Sequence, residues 1–389
     1  MKVSIENERN PTFGVRIDNM KSHLFSPFSL RSVTFSNRIV VSPMGQCSAV
    51  DGCVTEWHMV HLGTMAVSGA GSVCIEATAV TPNGRNTPYD LGLWNDQQAE
   101  ALEPILDFCR KNSLARFGMQ LWHAGRKGSV TTAWHRQLPI AIGEGGWQVE
   151  GPSEIPYPGR QIPLALSAKQ ITDVINAFVA AARRASALGL DYLEVHGAHG
   201  YLLHNFLSPL TNHRKDEYGG SLENRMRLLV EIFRAVREVW PDSKPIGVRL
   251  SCTDWVDGGW SFEDTIETCF KLRELGCDYI AASSGGSVPG QKIPVGPAYQ
   301  VPFAEKIRRI TGMPTIAVGL ITAAQQAESI LATGQADMVA LGRGMLYNPR
   351  WPWHAALELG EAPTIPPQYE RCHPSMRSGD FLKPKLETS

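Results

Sequence analysis

Eight short apolar runs punctuate the chain, each bounded by glycine, proline or polar turn residues, and each reads as a strand buried on both faces. They cover 38–43, 72–80, 117–122, 190–195, 245–251, 279–283, 314–318 and 337–341. Between them apolar residues recur at helical spacing over 56–68, 96–112, 168–188, 222–240, 262–275, 301–310 and 323–333, and one further helix, 349–359, follows the last run. Ser167-x-x-Gln170 and Thr322-x-x-Gln325 have the spacing of capping boxes, while Gly189, Gly276 and Gly334 stand where helices stop. Strict strand–helix alternation repeated eight times predicts an α/β fold, a (β/α)8 TIM barrel, the other arrangement it allows being a doubly wound sheet.

The barrel is expected to span 24–362, after a polar N-terminal extension at 1–23. The connection at 124–166 is too long for a plain crossover and is rich in Gly, Pro and Trp, which predicts a lid inserted after the third strand. A tail at 363–389 carries proline and charge without periodicity, so it wraps the surface or reaches a neighbouring subunit.

Composition narrows the partners. Lys and Arg number 37 against 38 Asp and Glu, a formal charge of −1 with no basic block, so neither nucleic acid nor an anionic membrane is expected. No run is long and apolar enough for a transmembrane helix or a secretion signal, which predicts a cytoplasmic protein. The eight cysteines are scattered and form no Cys-x-x-Cys pair, as expected of reduced thiols without a structural zinc or iron–sulfur site.

Chemistry concentrates where the fourth strand ends, in His196-Gly197-Ala198-His199-Gly200-Tyr201. Two imidazoles and a phenol meet there at the C-terminal end of a strand, the end at which parallel α/β folds work. On their own these residues also fit an ordinary loop or, for the two histidines, a metal pair, as in a metal-dependent hydrolase or aldolase. Around the same mouth the first strand delivers Pro43, Met44, Gly45 and Cys47, the second Ala77, the third Gln120 and Trp122, and the fifth Arg249. Gly319 after the seventh strand, with Gly342 and Arg343 after the eighth, would make an anion site of backbone N–H groups and one guanidinium fork. No Rossmann-type, Walker-type or Gly-x-Ser-x-Gly motif stands in the right context.

Longer signatures accompany the turn at His196–Tyr201: Asn37-Arg38-Ile39 at the first strand and, beyond the turn, Phe206-Leu207-Ser208-Pro209, Asn212-His213-Arg214, and the run from Asp216 to Arg225. With Leu24-Phe25-Ser26-Pro27, Trp57-His58, Gly84-Arg85 and His123-Ala-Gly-Arg126-Lys127, the chain resembles the Old Yellow Enzyme family of FMN-dependent ene-reductases, in its thermophilic-like branch. That resemblance implies FMN on the barrel, reduced by NADPH or NADH, with an activated alkene as the small-molecule substrate. It implies the FMN phosphate at Gly319, Gly342 and Arg343, the flavin ring over Pro43, Met44 and Gly45, its pyrimidine edge at Gln120 and Ala77, and Arg249 beside N1. His196 and His199 would grip the substrate's carbonyl or nitro oxygen, Tyr201 would supply a proton, and Trp122 and Cys47 would line the substrate pocket. It also implies a homodimer or homotetramer in which Arg371 enters a neighbour's site. Three positions depart from the branch: Gly45 replaces its cysteine, Cys47 its tyrosine, and Trp122 a small residue.

Overall fold

The structure, a computed structural model, describes residues 22–373; most of the extension at 1–23 and residues 374–389 of the tail lie outside them. Eight parallel strands close on themselves: β1 (Ile39–Val41), β2 (Ser72–Ala79), β3 (Arg116–Trp122), β4 (Tyr192–Gly197), β5 (Ile246–Ser251), β6 (Tyr279–Ser283), β7 (Thr315–Ala317) and β8 (Met338–Leu341), the last pairing with β1. Around them lie α1 (Glu56–Ala66), α2 (Asp96–Lys111), α3 (Ala168–Ala187), α4 (Leu222–Val239), α5 (Phe262–Glu274), α6 (Val301–Thr311), α7 (Ala324–Ala332) and α8 (Trp351–Glu358). This is the (β/α)8 barrel that the alternation predicts.

The period of two along each strand sorts side chains between the bore and the helices. On β4, Leu193 and Val195 belong to the large core beneath the helices, while Tyr192 packs in a separate cluster inside the barrel. Glu194 and His196 share the face of Tyr192, so one strand carries a hydrophobic plug, a buried carboxyl and an imidazole in ascending order toward the mouth. Tyr192 fills space that Gly118 leaves, and Tyr279 does the same opposite Gly247. A Cβ on Gly118 would lie 2.2 Å from the Tyr192 ring. Gly118→Ala is therefore expected to destabilise the barrel by about 1–3 kcal/mol through overpacking; an unchanged urea midpoint would contradict this packing.

Below the tyrosines the bore is closed by an antiparallel hairpin, Phe28–Leu30 with Val33–Phe35, which the apolar pattern did not reveal. Its turn uses Arg31 at φ +48° in place of the glycine or asparagine that signals such turns, and Arg31 is held by Asp278 and by the carbonyls of Asp242 and Gly276. The Ser167–Gln170 capping box forms at α3. The one expected at Thr322–Gln325 does not: Ala323 is the residue before α7, and Gln326 Oε1 instead accepts from the Thr322 N–H at 3.2 Å. Gly189, Gly276 and Gly334 all adopt positive φ at helix ends.

The insertion at 124–166 runs from β3 to α3 through three single turns, Gly125–Lys127, Ala133–His135 and Ile142–Glu144, and a pair of two-residue strands, Glu150–Gly151 and Leu164–Ala165. The described part of the tail ends in a turn at Pro367–Cys372, where Tyr369 packs on Trp353 of α8 with Arg350 over both rings. All eight cysteines are free thiols. No helix among the described residues is long and apolar enough to cross a membrane.

Candidate active site

A cleft of about 390 Å³ opens at the C-terminal mouth, within the range of small-molecule sites. It is lined by Pro43, Met44, His199 and Arg249 together with Gly319, Gly342 and Arg343. Gly319 sits at φ +129°, and a Cβ there would press on Gln300 at 3.2–3.3 Å, so this backbone comes close to its neighbour only as glycine.

The remaining site residues are chained to that cleft by contact. His199 Nδ1 lies 3.3 Å from His196 Nε2. The His196 ring meets the Tyr201 ring edge-on at 5.2 Å, and Tyr201 meets Trp122 edge-on at 5.0 Å. A register shift between Ile75 and Ala77 on β2 sets Ala77 beside Gln120 of β3, so a bulge re-aims the strand at the mouth. Gln120 donates to Glu194 at 2.7 Å. Burial holds the Glu194 carboxyl above its usual range, with Arg249 the principal opposing influence. Arg249 keeps a buried Nε without a hydrogen-bond partner among the described residues, so a donor aimed at the cleft floor suits an acceptor on a ligand.

Proton positions on the histidines follow from their partners. The Ala198 N–H can only donate, and it lies 3.1 Å from His196 Nδ1, so that neutral ring carries its proton on Nε2. His199 Nδ1 then faces a donor, which leaves its own proton on Nε2, 2.7 Å from Ser283 Oγ. Burial, followed by the nearby Arg249 charge, lowers both imidazoles well below their usual range, so both are neutral donors at physiological pH. His199 has φ +61°, a conformation held from two sides: its N–H donates to Ser251 Oγ at 2.9 Å and its carbonyl accepts from Lys127 Nζ at 2.7 Å. Burial raises the Tyr201 phenol to about 12.

Gly45 has no positive φ, and a Cβ on it would meet only Glu76 Oε2, at an ordinary 3.8 Å. Cys47 lies 3.5 Å from Asp90, and burial with that carboxylate pushes its thiol up to about 12. Arg371 is exposed on the Pro367–Cys372 turn and does not line this chain's own cleft. Glu194, Ser283, Gln300, Lys127 and Arg160 also belong to the neighbourhood. Glu194 was legible as a lone charge in phase with Tyr192 and His196; Gln300, bonded to Ser284 Oγ at 2.8 Å, carried no local signal.

Residues 23–361 match the model of the NADH:flavin oxidoreductase / NADH oxidase family. The chain belongs to this family. It is 46% identical over 355 residues to a protein named NADPH dehydrogenase from Geobacillus sp. (strain WCH70), a match covering 90% of this chain and 99% of that one. A second protein of that name, from Geobacillus thermodenitrificans (strain NG80-2), is 44% identical with the same coverage. Among solved structures, morphinone reductase in complex with tetrahydroNAD superposes with a TM-score of 0.72 at 27% identity, over 87% of this chain and 92% of that one. The Old Yellow Enzyme homologue from Zymomonas mobilis gives 0.71 at 26% identity, over 86% and 92%. The protein is thus an FMN-dependent NAD(P)H oxidoreductase of the Old Yellow Enzyme type, with NADPH or NADH as reductant. Its membership does not favour a metal-dependent hydrolase or aldolase, and both histidines spend ring nitrogens on the protein's own groups.

Proposed function

We propose that this site reduces C=C bonds conjugated to a carbonyl or nitro group, taking hydride equivalents from NADPH or NADH and a proton from Tyr201. The reading rests on one observation above the others: two neutral imidazoles and a phenol meet edge to edge at the lip of a cleft lined by Arg249, Gly319, Gly342 and Arg343. When bound, FMN supplies hydride to the alkene's β-carbon after accepting it from the nicotinamide.

Gly319, Gly342 and Arg343 would hold the FMN phosphate, Arg249 the acceptor edge of the ring, and Gln120 with the Ala77 backbone its polar rim. Pro43, Met44 and Gly45 would flank the ring. His196 turns its Nε2 proton from His199 Nδ1 to the substrate oxygen, and His199 turns its own from Ser283 Oγ. Because both rings are neutral, they donate hydrogen bonds without having to transfer a proton, and the bonds strengthen as charge collects on that oxygen. Tyr201 delivers its hydroxyl proton to the α-carbon, and Trp122 and Cys47 bound the pocket beside it.

Anaerobic mixing of the yellow enzyme with NADPH and then with 2-cyclohexenone tests this reading. Cyclohexanone is the expected product; 2-cyclohexenol, or reduced enzyme that the enone does not reoxidise, would rule it out.

Gly45 offers a second check on where the ring sits. The space around it accepts a side chain, so Gly45→Cys should fold and retain FMN while adding a thiol beside the flavin. The expected result is an altered reduction potential and absorption spectrum with changed preference among bulky enones. A variant with the wild-type potential and selectivity, or one purified without FMN, would place the ring elsewhere.

A further inference from the structure

Tyr201 is the acid in the reading above, yet burial makes its hydroxyl harder to ionise than a free phenol. Donating its proton leaves a phenolate in that same setting until solvent returns one. The insertion after β3 brings one cation over this ring and a second within electrostatic reach of it. Lys127 Nζ lies 5.3 Å from the centre of the Tyr201 ring, and Arg160 interacts with the same phenol, lowering the cost of its ionisation. We propose that Lys127, backed by Arg160, is a positioning residue for proton delivery, its ammonium stabilising the negative charge that Tyr201 takes on as its O–H bond breaks and the α-carbon gains its C–H bond. This inference rests on the acid role of Tyr201 and goes beyond it.

The surroundings are built to keep that ammonium in place. Lys127 Nζ donates to the His199 and Gly286 carbonyls, which converge because the turn at Gly200 and the loop at Gly286 touch. A Cβ on Gly200 would stand 2.4 Å from the Gly286 carbonyl oxygen, so this close approach requires glycine. The ring of Tyr157, from the same insertion, lies 4.8 Å from Nζ, and Arg160 bonds the Lys127 carbonyl. Among the described residues neither Lys127, Arg126 nor Arg160 forms an ion pair with a carboxylate, so their charge is not spent locally. Arg126 is committed elsewhere, to the carbonyls of Ile155, Pro156 and Ser287.

A pH signature follows. The titratable and charged groups facing Lys127 are Arg126, Arg160 and Tyr157 from the insertion, and His196, His199 and Tyr201 from the turn after β4. Burial, then Arg160 and Arg126, lowers the Lys127 ammonium to about 7. The two histidines stay neutral and Tyr201 stays protonated through that region. Raising the pH through about 7 removes the cation, so reoxidation by an enone should slow there relative to reduction by NADPH.

The decisive experiment is a double-mutant cycle on the holoenzyme, measuring by stopped flow the ratio of reoxidation by 2-cyclohexenone to reduction by NADPH. Lys127→Met is expected to lower that ratio about tenfold in the wild-type background and less than about twofold in Tyr201→Phe, and to abolish the slowing above pH 7. Equal loss in both backgrounds, or an unchanged pH profile, would overturn the proposal and leave Lys127 a purely structural clamp. Arg160→Gln spares the contacts of Lys127 Nζ and should show the same background dependence with a smaller loss, so it decides the matter if Lys127→Met does not fold. A Tyr201→Phe enzyme that is reoxidised at the wild-type rate would instead overturn the acid role itself, and this inference with it.

Discussion

Tyr201→Phe is expected to slow reoxidation of the reduced enzyme by 2-cyclohexenone about 10²–10⁴-fold, the usual worth of a general acid. Reduction by NADPH should be nearly unaffected, because that half of the cycle needs no proton at an α-carbon. The substitution removes only the hydroxyl, and the edge-on packing of the ring against Trp122 and His196 survives it. Loss therefore reports on the proton and not on the pocket's shape. Stopped-flow traces in which both halves slow equally would count against a proton-donor role.

Removing either imidazole should cost nearly as much. His196→Ala or His199→Ala deletes a neutral donor to an oxygen that gathers charge, a loss of about 2.7–4 kcal/mol for donors of this kind. Reoxidation by an enone is expected to fall about 10²–10³-fold, and phenols, whose oxygen would take the same two donors, should bind more weakly. The two variants differ in their secondary effects. His196→Ala leaves the Ala198 N–H without its Nδ1 acceptor, whereas His199→Ala frees Ser283 Oγ to turn fully to Gln300. Phenol titrations identical to wild type in both variants would refute the oxygen grip.

Much of the fold was legible because each barrel strand is short, apolar and bounded by turn residues, and because the bore-facing residues of β4 keep a period of two. The same period that marks Leu193 and Val195 as core places His196 at the mouth. Clustering at the ends of strands was legible for the same reason. The hairpin at Phe28–Phe35 was not, since Arg31 takes a left-handed turn position through long-range bonds that no local pattern encodes. At Thr322 the local pattern was present but the chain used another: the Gln326 side chain caps the turn. The placement of Lys127 and Arg160 beside Tyr201 was equally hidden. Both lie in an insertion without periodicity; Lys127 is placed by the carbonyls of two distant loops, and Arg160 by the carbonyl of Lys127. Arg371 marks the opposite limit, because its surroundings within one chain do not include the cleft.

The two hydrogens added to the alkene should come from different sources. Turnover of 2-cyclohexenone with NADPH in deuterium oxide, with the product analysed by NMR, separates them. Cyclohexanone is expected to carry solvent deuterium at the α-carbon and none at the β-carbon, with the α-label rate collapsing in Tyr201→Phe. Deuterium at the β-carbon, or a saturated ketone formed at the wild-type rate by Tyr201→Phe, would contradict this division.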